Sequence, residues 1–344
     1  MKFIKVVFLL SVLFLQFISC KDTGTGPNQK PFKDPREMTW TTDTLSVPEG
    51  AIQVLPQDLL VVSTTDIWLA TWVGHGQIMH YDGKAWSLSL NLAGGINCLT
   101  QDNSNKIWAG GYSNTIYLGH YDGTSWTRAD DMGITGEILD MTTDPSGNIW
   151  ACGRNGVVLK YSQGKWTADT IKILNYNPSD YFLKGIKYFK GKIYLLASIG
   201  GTRYAYLAGD IKNWTLADTM RLNSPSSNIK WGNMGLYKSS DEQLYAYGLR
   251  GIWSMTNSGW EKIFDFDGEI YGMYGASKNY LLGVSGYRTV CFFDGSNWNS
   301  IGNLFNVSDP TFEFKNVWTD GYEIFLIGFG TINGIDTTII WHGK

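Results

Sequence analysis

The chain has 344 residues, 43% of them hydrophobic, and a formal net charge of −3. A weakly acidic chain without a basic tract argues against a nucleic-acid partner. Its four cysteines, with no Cys-x-x-Cys spacing and no Cys/His cluster, argue against structural zinc and against a disulfide framework. Forty glycines and 15 tryptophans exceed ordinary usage and point to short strands broken by turns, with aromatics at fixed places.

The amino end reads as an export signal. Lys2 and Lys5 precede an apolar run from Val6 to Ile18, which is too short to span a bilayer comfortably. Phe17-Ile18-Ser19-Cys20 resembles a bacterial lipobox, with Phe where that motif prefers Leu. The resemblance implies that residues 1–19 are removed and that Cys20 carries the lipid. Several acyl chains in the bilayer would make a stable anchor, so the expected place is the bacterial cell envelope, lipid-anchored, in the outer membrane. The side of the membrane is left open. Residues 20–37 are polar, rich in Pro and Gly and without periodicity, which predicts a solvated tether.

A repeat fills the rest. Its first half is Ile-Trp or a relative, at Ile67-Trp68, Ile107-Trp108, Ile149-Trp150, Ile193-Tyr194, Leu244-Tyr245, Tyr280-Leu281 and Ile324-Phe325. Its second half is an apolar strand, a turn such as Tyr-Asp-Gly, and a tryptophan: Trp86, Trp126, Trp166, Trp214, Trp260 and Trp298, spaced by 40, 40, 48, 46 and 38 residues. A period of roughly 40–45 residues with four short strands per unit predicts β-propeller blades. In the clearest copy strand A is 96–101, strand B 106–112, strand C 116–121 and strand D 125–129, joined by turns at 102–105, 113–114 and 122–123. The Asp-Gly and Asn-Gly pairs supply the positive φ that tight turns require.

The last copy ends without a strand D, whereas Met38 to Thr44 resembles one and has no repeat before it. The N-terminal strand is therefore predicted to complete the final blade and remove the open edges of the ring. The expected domain is 38–344, all-β, with seven four-stranded blades. The copies at Asp102–Asp122 and Asp144–Tyr161 resemble the propeller repeats of two-component-regulator type. That resemblance implies an extracytoplasmic recognition role; no kinase module accompanies it in this chain.

Function is sought in the loops. The B–C turns carry His75, Tyr112 with Asn114, Arg154, Arg203, Arg250, Tyr287 with Arg288, and Asn333. Four of the seven arginines fall at the turns of four consecutive units, and a guanidinium is a planar fork suited to carboxylate or phosphate. These residues, with Trp231, Tyr176 and Tyr181 of the long D–A insertions, form the candidate ligand face. His80, His120 and His342 occupy equivalent strand C positions and read as repeat elements. Cys98, Cys152 and Cys291 read as buried thiols, with a Cys98–Cys152 bridge left open.

No nucleophile, phosphate-loop or metalloprotease motif is present, and no cofactor is implied. Asp265 to Glu269 lacks the ligand spacing of a calcium loop. Asp130, Asp131, Asp180 and Asp309 do not single out a glycosidase pair. The expected function is a membrane-anchored, non-enzymatic scaffold for a glycan or envelope protein. The alternatives are a hydrolase or lyase acting on an acidic sugar, and a structural subunit of an envelope complex.

Overall fold

A computed structural model describes residues 31–344 except 130–131, 174–175, 222–228, 306, 308 and 333–334. The expected signal, Cys20 and most of the tether lie outside the described residues. Apart from 3-10 turns at Pro35–Glu37, Pro178–Asp180 and Gly302–Leu304, the regular structure is all antiparallel strand.

The chain enters with β1 (Trp40–Thr44). Sheet I follows as β2 (Leu55–Ser63), β3 (Asp66–Trp72), β4 (Gly76–Tyr81) and β5 (Trp86–Leu92). Sheet II is β6 (Gly95–Gln101), β7 (Ile107–Ser113), β8 (Thr115–Tyr121) and β9 (Trp126–Arg128). Sheet III is β10 (Ile138–Thr143), β11 (Ile149–Gly153), β12 (Val157–Ser162) and β13 (Lys165–Thr170). Sheet IV is β14 (Tyr181–Phe189), β15 (Lys192–Ile199), β16 (Arg203–Asp210) and β17 (Asn213–Arg221). Sheet V has six strands: β18 (Gly235–Lys238), β19 (Leu244–Thr256), β20 (Gly259–Ser277), β21 (Tyr280–Ser285), β22 (Val290–Phe293) and β23 (Trp298–Ser300). Sheet VI is β24 (Glu313–Thr319), β25 (Ile324–Ile332) and β26 (Ile335–Gly343), with β1 as its outer strand.

The propeller fold is as expected, but the count of blades is corrected: six sheets form, not seven four-stranded ones. The reason is local. Arg250 and Gly251 turn the chain at φ +71° and +121° without leaving the ladder, so β19 serves both sides of that turn. The 19-residue β20 pairs with β19 through its first part and with β21 from Ile270 onward, so two sequence repeats share one sheet. No Pro-rich or Gly-rich linker separates them, and the strand runs on.

Closure takes the predicted form. Trp40 to Thr44 pair with Gly343 to Ile339 in continuous register. The compact unit begins at Lys33, ahead of the expected Met38 boundary. The Lys33 N–H donates to the Gly321 carbonyl at 2.8 Å, the Asp34 carboxylate accepts the Arg36 N–H at 2.9 Å, and the Trp40 indole donates to the Pro35 carbonyl at 3.2 Å. The end of the tether is thus strapped to the sheets.

The core lies between the sheets. Trp68, Ala70 and Ile78 of sheet I meet Ile96, Ala109 and Tyr117 of sheet II, and Trp108 and Leu118 of sheet II meet Ile138, Ala151 and Leu159 of sheet III. Middle strands are buried on both faces, Ile67 to Thr71 throughout, which is why their alternation is blurred in the sequence. Outer strands such as β17 alternate between exposed and more buried residues. Close approach fixes some glycines: a Cβ on Gly111 would lie 1.9 Å from the Gly95 carbonyl oxygen.

In sheets I to III the repeat is pinned by a carboxylate at its A–B turn: Asp66 accepts the Trp68 indole N–H at 2.8 Å. Asp102 accepts the Trp108 indole N–H at 2.9 Å, and Asp144 accepts that of Trp150 at 3.0 Å. Asp144 also accepts the N–H groups of Ser146 and Asn148 and the Asn148 side-chain amide. The Tyr-Asp-Gly turns are pinned likewise: Asp122 Oδ1 accepts Thr124 and Ser125 N–H, both at 2.9 Å. These turns are framework.

Replacing Asp144, which is 7% exposed, strands a buried indole N–H and several turn donors. Asp144→Ala is expected to cost about 2–4 kcal/mol of stability, measured by urea unfolding. A loss below roughly 0.5 kcal/mol, the range of ordinary surface changes, would show that the carboxylate does not hold the repeat.

Candidate functional site

The innermost strands β2, β6, β10, β14, β18, β24 and the second part of β20 line a central channel of about 610 Å³. Six of these strands skip one residue in register near their start: Gln57, Asn97, Leu139, Lys184, Tyr271 and Lys315 are the extra residues. A bulge bends the strand and re-aims the side chains that follow. All six line the channel. Because these strands start at the D–A loops, the bulges place a varied set of side chains at the mouth on the loop face.

Just inside the mouth, polar groups link successive sheets. Asp58 Oδ2 in sheet I accepts the Leu99 N–H of sheet II at 2.7 Å, while Oδ1 accepts its neighbour Leu59 N–H at 2.9 Å. The Asn97 amide of sheet II donates to the Ile138 carbonyl of sheet III at 2.8 Å. Asp140 in sheet III accepts the Ile186 N–H of sheet IV at 2.8 Å, and Lys187 Nζ donates to both its oxygens at 3.1 and 2.8 Å. Opening a bulge frees strand N–H groups, and a carboxylate one residue on accepts them. The same device recurs two sheets apart.

The charges feel this enclosure. Burial pushes the Asp58 carboxyl up to about 7, helped by the Asp140 charge and opposed by the Leu99 and Leu59 N–H groups and by Lys187. Burial works to lower Lys187, but the Asp140 charge and hydrogen bonds prevail and hold it above the usual lysine value. Burial also raises Glu269, against the pull of Lys184 and Lys315. Lys315 forms an ion pair with Glu313. The mouth is therefore a preformed, mixed-charge polar surface.

The expected arginine mouth does not form. Arg154 pairs with Glu137 and lies over the Phe182 ring, 4.5 Å from its centroid. Arg250 pairs with Asp267, and Arg288 donates to the Val307 carbonyl at 3.0 Å. Arg203 lies over Tyr176 at 5.3 Å, in a separate cavity. None of the four lines the channel. Trp231 is buried at 1% exposure with its indole 3.4 Å from Asp218, and it lines a cavity beside Tyr206 and Trp260, apart from the channel. Tyr181 is fully buried, and its hydroxyl is bonded to the Ile173 and Tyr176 backbone.

His75 is half-buried beside Gln77, Tyr112 lies beside Trp72 with ring centroids 6.4 Å apart, and Tyr287 is 81% exposed. Asn333, Asp130 and Asp131 lie outside the described residues. Asp309 is spent on Thr311 and Thr331, while Asp265 and Asp267 face Lys262 and Arg250.

His80, His120 and His342 do act as repeat elements. His80 stacks on Trp68 at 4.0 Å and shares Asp66 with its indole; His342 stacks on Phe325 at 4.1 Å and bonds Glu323. Cys98, Cys152 and Cys291 are free and buried, and burial raises each thiol. Among the described residues no His, Cys, Asp or Glu cluster of three could hold a metal ion.

The channel residues escaped the sequence reading because their types differ at every bulge. One signal was available: Asp58, Asp140 and Lys187 are charges inside otherwise apolar strands, which ordinary surface residues are not.

No family model matches the chain, and no curated protein matches it in sequence. Solved structures do match in shape. Virginiamycin B lyase from Staphylococcus aureus superposes with TM-score 0.64 at 14% identity, covering 88% of this chain and 99% of that one. YCF48 bound to D1 peptide gives 0.62 at 14% identity, covering 93% and 98%. The extracellular domain of a protein described as a hybrid two-component system from B. thetaiotaomicron gives 0.62 at 15%, covering 88% of this chain and 42% of that one. At these identities the likeness shows the β-propeller fold alone.

The raised Asp58 carboxyl has a consequence for stability. The folded protein keeps a proton that the unfolded chain, with its ordinary Asp pKa of about 3.9, releases. This contribution is full below about pH 4 and is lost as pH rises through about 7. Urea unfolding at pH 5.5 and pH 8 should show the native protein weaker at pH 8, with the difference reduced in Asp58→Asn. An unchanged difference in the variant would remove Asp58 as the cause.

Proposed function

We propose that the protein is an envelope lipoprotein, anchored through Cys20, whose propeller is a non-enzymatic scaffold that binds a peptide or protein segment at the channel mouth. One observation carries this reading. The mouth is a polar, mixed-charge ring in which strand N–H groups hold Asp58 and Asp140, and among the described residues no nucleophile and base are set in bonding distance there. Such a surface suits recognition of a polar chain by complementary hydrogen bonds. The peptide-bound state of a propeller of similar shape supports it. The lipobox-like Phe17-Ile18-Ser19-Cys20 supports anchoring, and the polar residues after it would let the propeller stand off the bilayer.

A glycan-hydrolysing role would need two free carboxyls facing each other at the mouth, whereas Glu269 feels the Lys184 and Lys315 charges and Glu313 is paired with Lys315. Asp58 and Asp140 accept backbone N–H groups across the sheets, and His75 has a glutamine, not a carboxylate, beside it. A glycan-degrading enzyme is thereby disfavoured, and an assembly subunit remains an outcome of the test.

Two measurements check the proposal. Cys20→Ser should move the protein from the membrane fraction to the soluble fraction; membrane retention would refute anchoring through that residue. Affinity capture of the lipidated protein from its own envelope should retain a partner that Lys184→Glu with Lys315→Glu releases, at least tenfold, without a change in melting temperature. Equal capture by the double variant would move recognition away from the mouth and favour binding through the rim.

A further inference from the structure

Arg203 begins β16 and Arg221 ends β17, and the two are direct cross-strand partners. Side chains so placed stand roughly 5 Å apart at Cβ, and like charges in that position repel. Neither forms an ion pair with any described residue. Nor do the neighbouring stretches 174–175 and 222–228, Leu-Asn and Leu-Asn-Ser-Pro-Ser-Ser-Asn, contain an acid in their sequence. Of the other five arginines, Arg36, Arg154 and Arg250 each have a carboxylate, while Arg128 donates to the Thr115 hydroxyl and Arg288 to the Val307 carbonyl.

Both arginines line a cavity of about 350 Å³ whose other walls are Ile173, Tyr176, Ile199, Tyr204, Leu216, Thr219 and Met220. The lining is built, not incidental. The buried Tyr181 hydroxyl accepts the Ile173 N–H at 3.1 Å and lies 2.7 Å from the Ile173 and Tyr176 carbonyl oxygens, which positions these two lining residues. Tyr176 in turn lies under the Arg203 guanidinium. An apolar and aromatic floor thus meets two uncompensated guanidinium groups at one edge.

We infer that this cavity binds a carboxylate joined to an apolar group, and specifically the C-terminal residue of a peptide. Two guanidinium forks on paired residues of one cavity suit the two oxygens of a carboxylate, and the aliphatic and aromatic floor matches an apolar side chain next to it. Capture of a terminal carboxylate is an established mode of peptide recognition. The anion would also relieve the Arg203–Arg221 repulsion. This rests on the peptide-binding reading above but concerns a second cavity, so the two stand or fall on separate evidence.

The test uses N-acetyl-L-phenylalanine and its amide, titrated into the protein and followed by NMR or calorimetry. A ligand of this size in a good site binds on the order of 1 mM. The acid should bind saturably in that range and the amide at least tenfold more weakly. Arg203→Gln and Arg221→Gln should each weaken the acid at least tenfold while leaving the melting temperature unchanged or raised, because a repulsion is removed. Raising salt should weaken the acid and not the amide.

Equal binding of acid and amide, unaltered binding by either variant, or no saturable binding of the acid up to about 20 mM would overturn the inference. A fall in melting temperature of both variants would instead assign the pair a structural role. None of these outcomes bears on the Lys184 and Lys315 test at the channel mouth.

Discussion

Every sheet in this ring depends on the sheet beside it, because its middle strands are apolar on both faces and no separate core exists. The contact that carries most of this dependence is aromatic. Trp126 and Tyr121 of sheet II pack on Trp68 of sheet I, at 6.0 and 5.1 Å, and Trp166 and Tyr161 of sheet III pack on Trp108 of sheet II, at 5.8 and 4.9 Å. The edge-on geometry of the tryptophan pairs is the favourable one for ring quadrupoles. Each supporting indole is itself oriented by a turn carboxylate, so one polar bond positions one large apolar contact. Sheets III and IV vary the theme with Asp169, which accepts the Trp214 indole across the gap at 3.0 Å.

A ring built on neighbour contacts has two ends to hide. Pairing of β1 with β26 does so, and the Thr337 and Thr338 hydroxyls add bonds to the Leu45 and Val54 carbonyls. The circular constraint then holds the inner strands at fixed positions around the channel. That rigidity makes the bulges useful: side chains of any type can be set at the mouth without disturbing the packing behind them. The framework residues recur, and the mouth residues differ.

This division explains what was legible. Ile-Trp, Tyr-Asp-Gly and the D-strand tryptophans recur because the same contact recurs, so the strand pattern and the closing strand could be read directly; in sheet II the strands fall within a residue or two of their expected limits. Sheet count was misread because periodicity marks repeats, not breaks in a ladder, and β20 has no break where one was expected. Arginine at hairpin tips was overread as a shared mouth. Arg154 and Arg250 find acids whose positions, Glu137 and Asp267, become visible only once the sheet is folded. Trp231 lies in the D–A connection its insertion implies, and its ring turns inward to pack near Tyr206 at 6.4 Å between sheets IV and V, which the sequence does not disclose. The Arg203–Arg221 pair depends on cross-strand register, which spacing alone did not disclose.

A repeated aromatic framework is thus separate from a variable polar mouth, the proposed place of recognition. The most direct measurement is site-specific photo-crosslinking in the native envelope, with p-benzoylphenylalanine at Gln57 in the bulge of β2 and at Leu88 on the exposed outer strand β5 of the same sheet. The account predicts a discrete crosslinked partner from Gln57 and none from Leu88. Crosslinking from Leu88 with none from Gln57 would contradict it and place the binding surface on the rim.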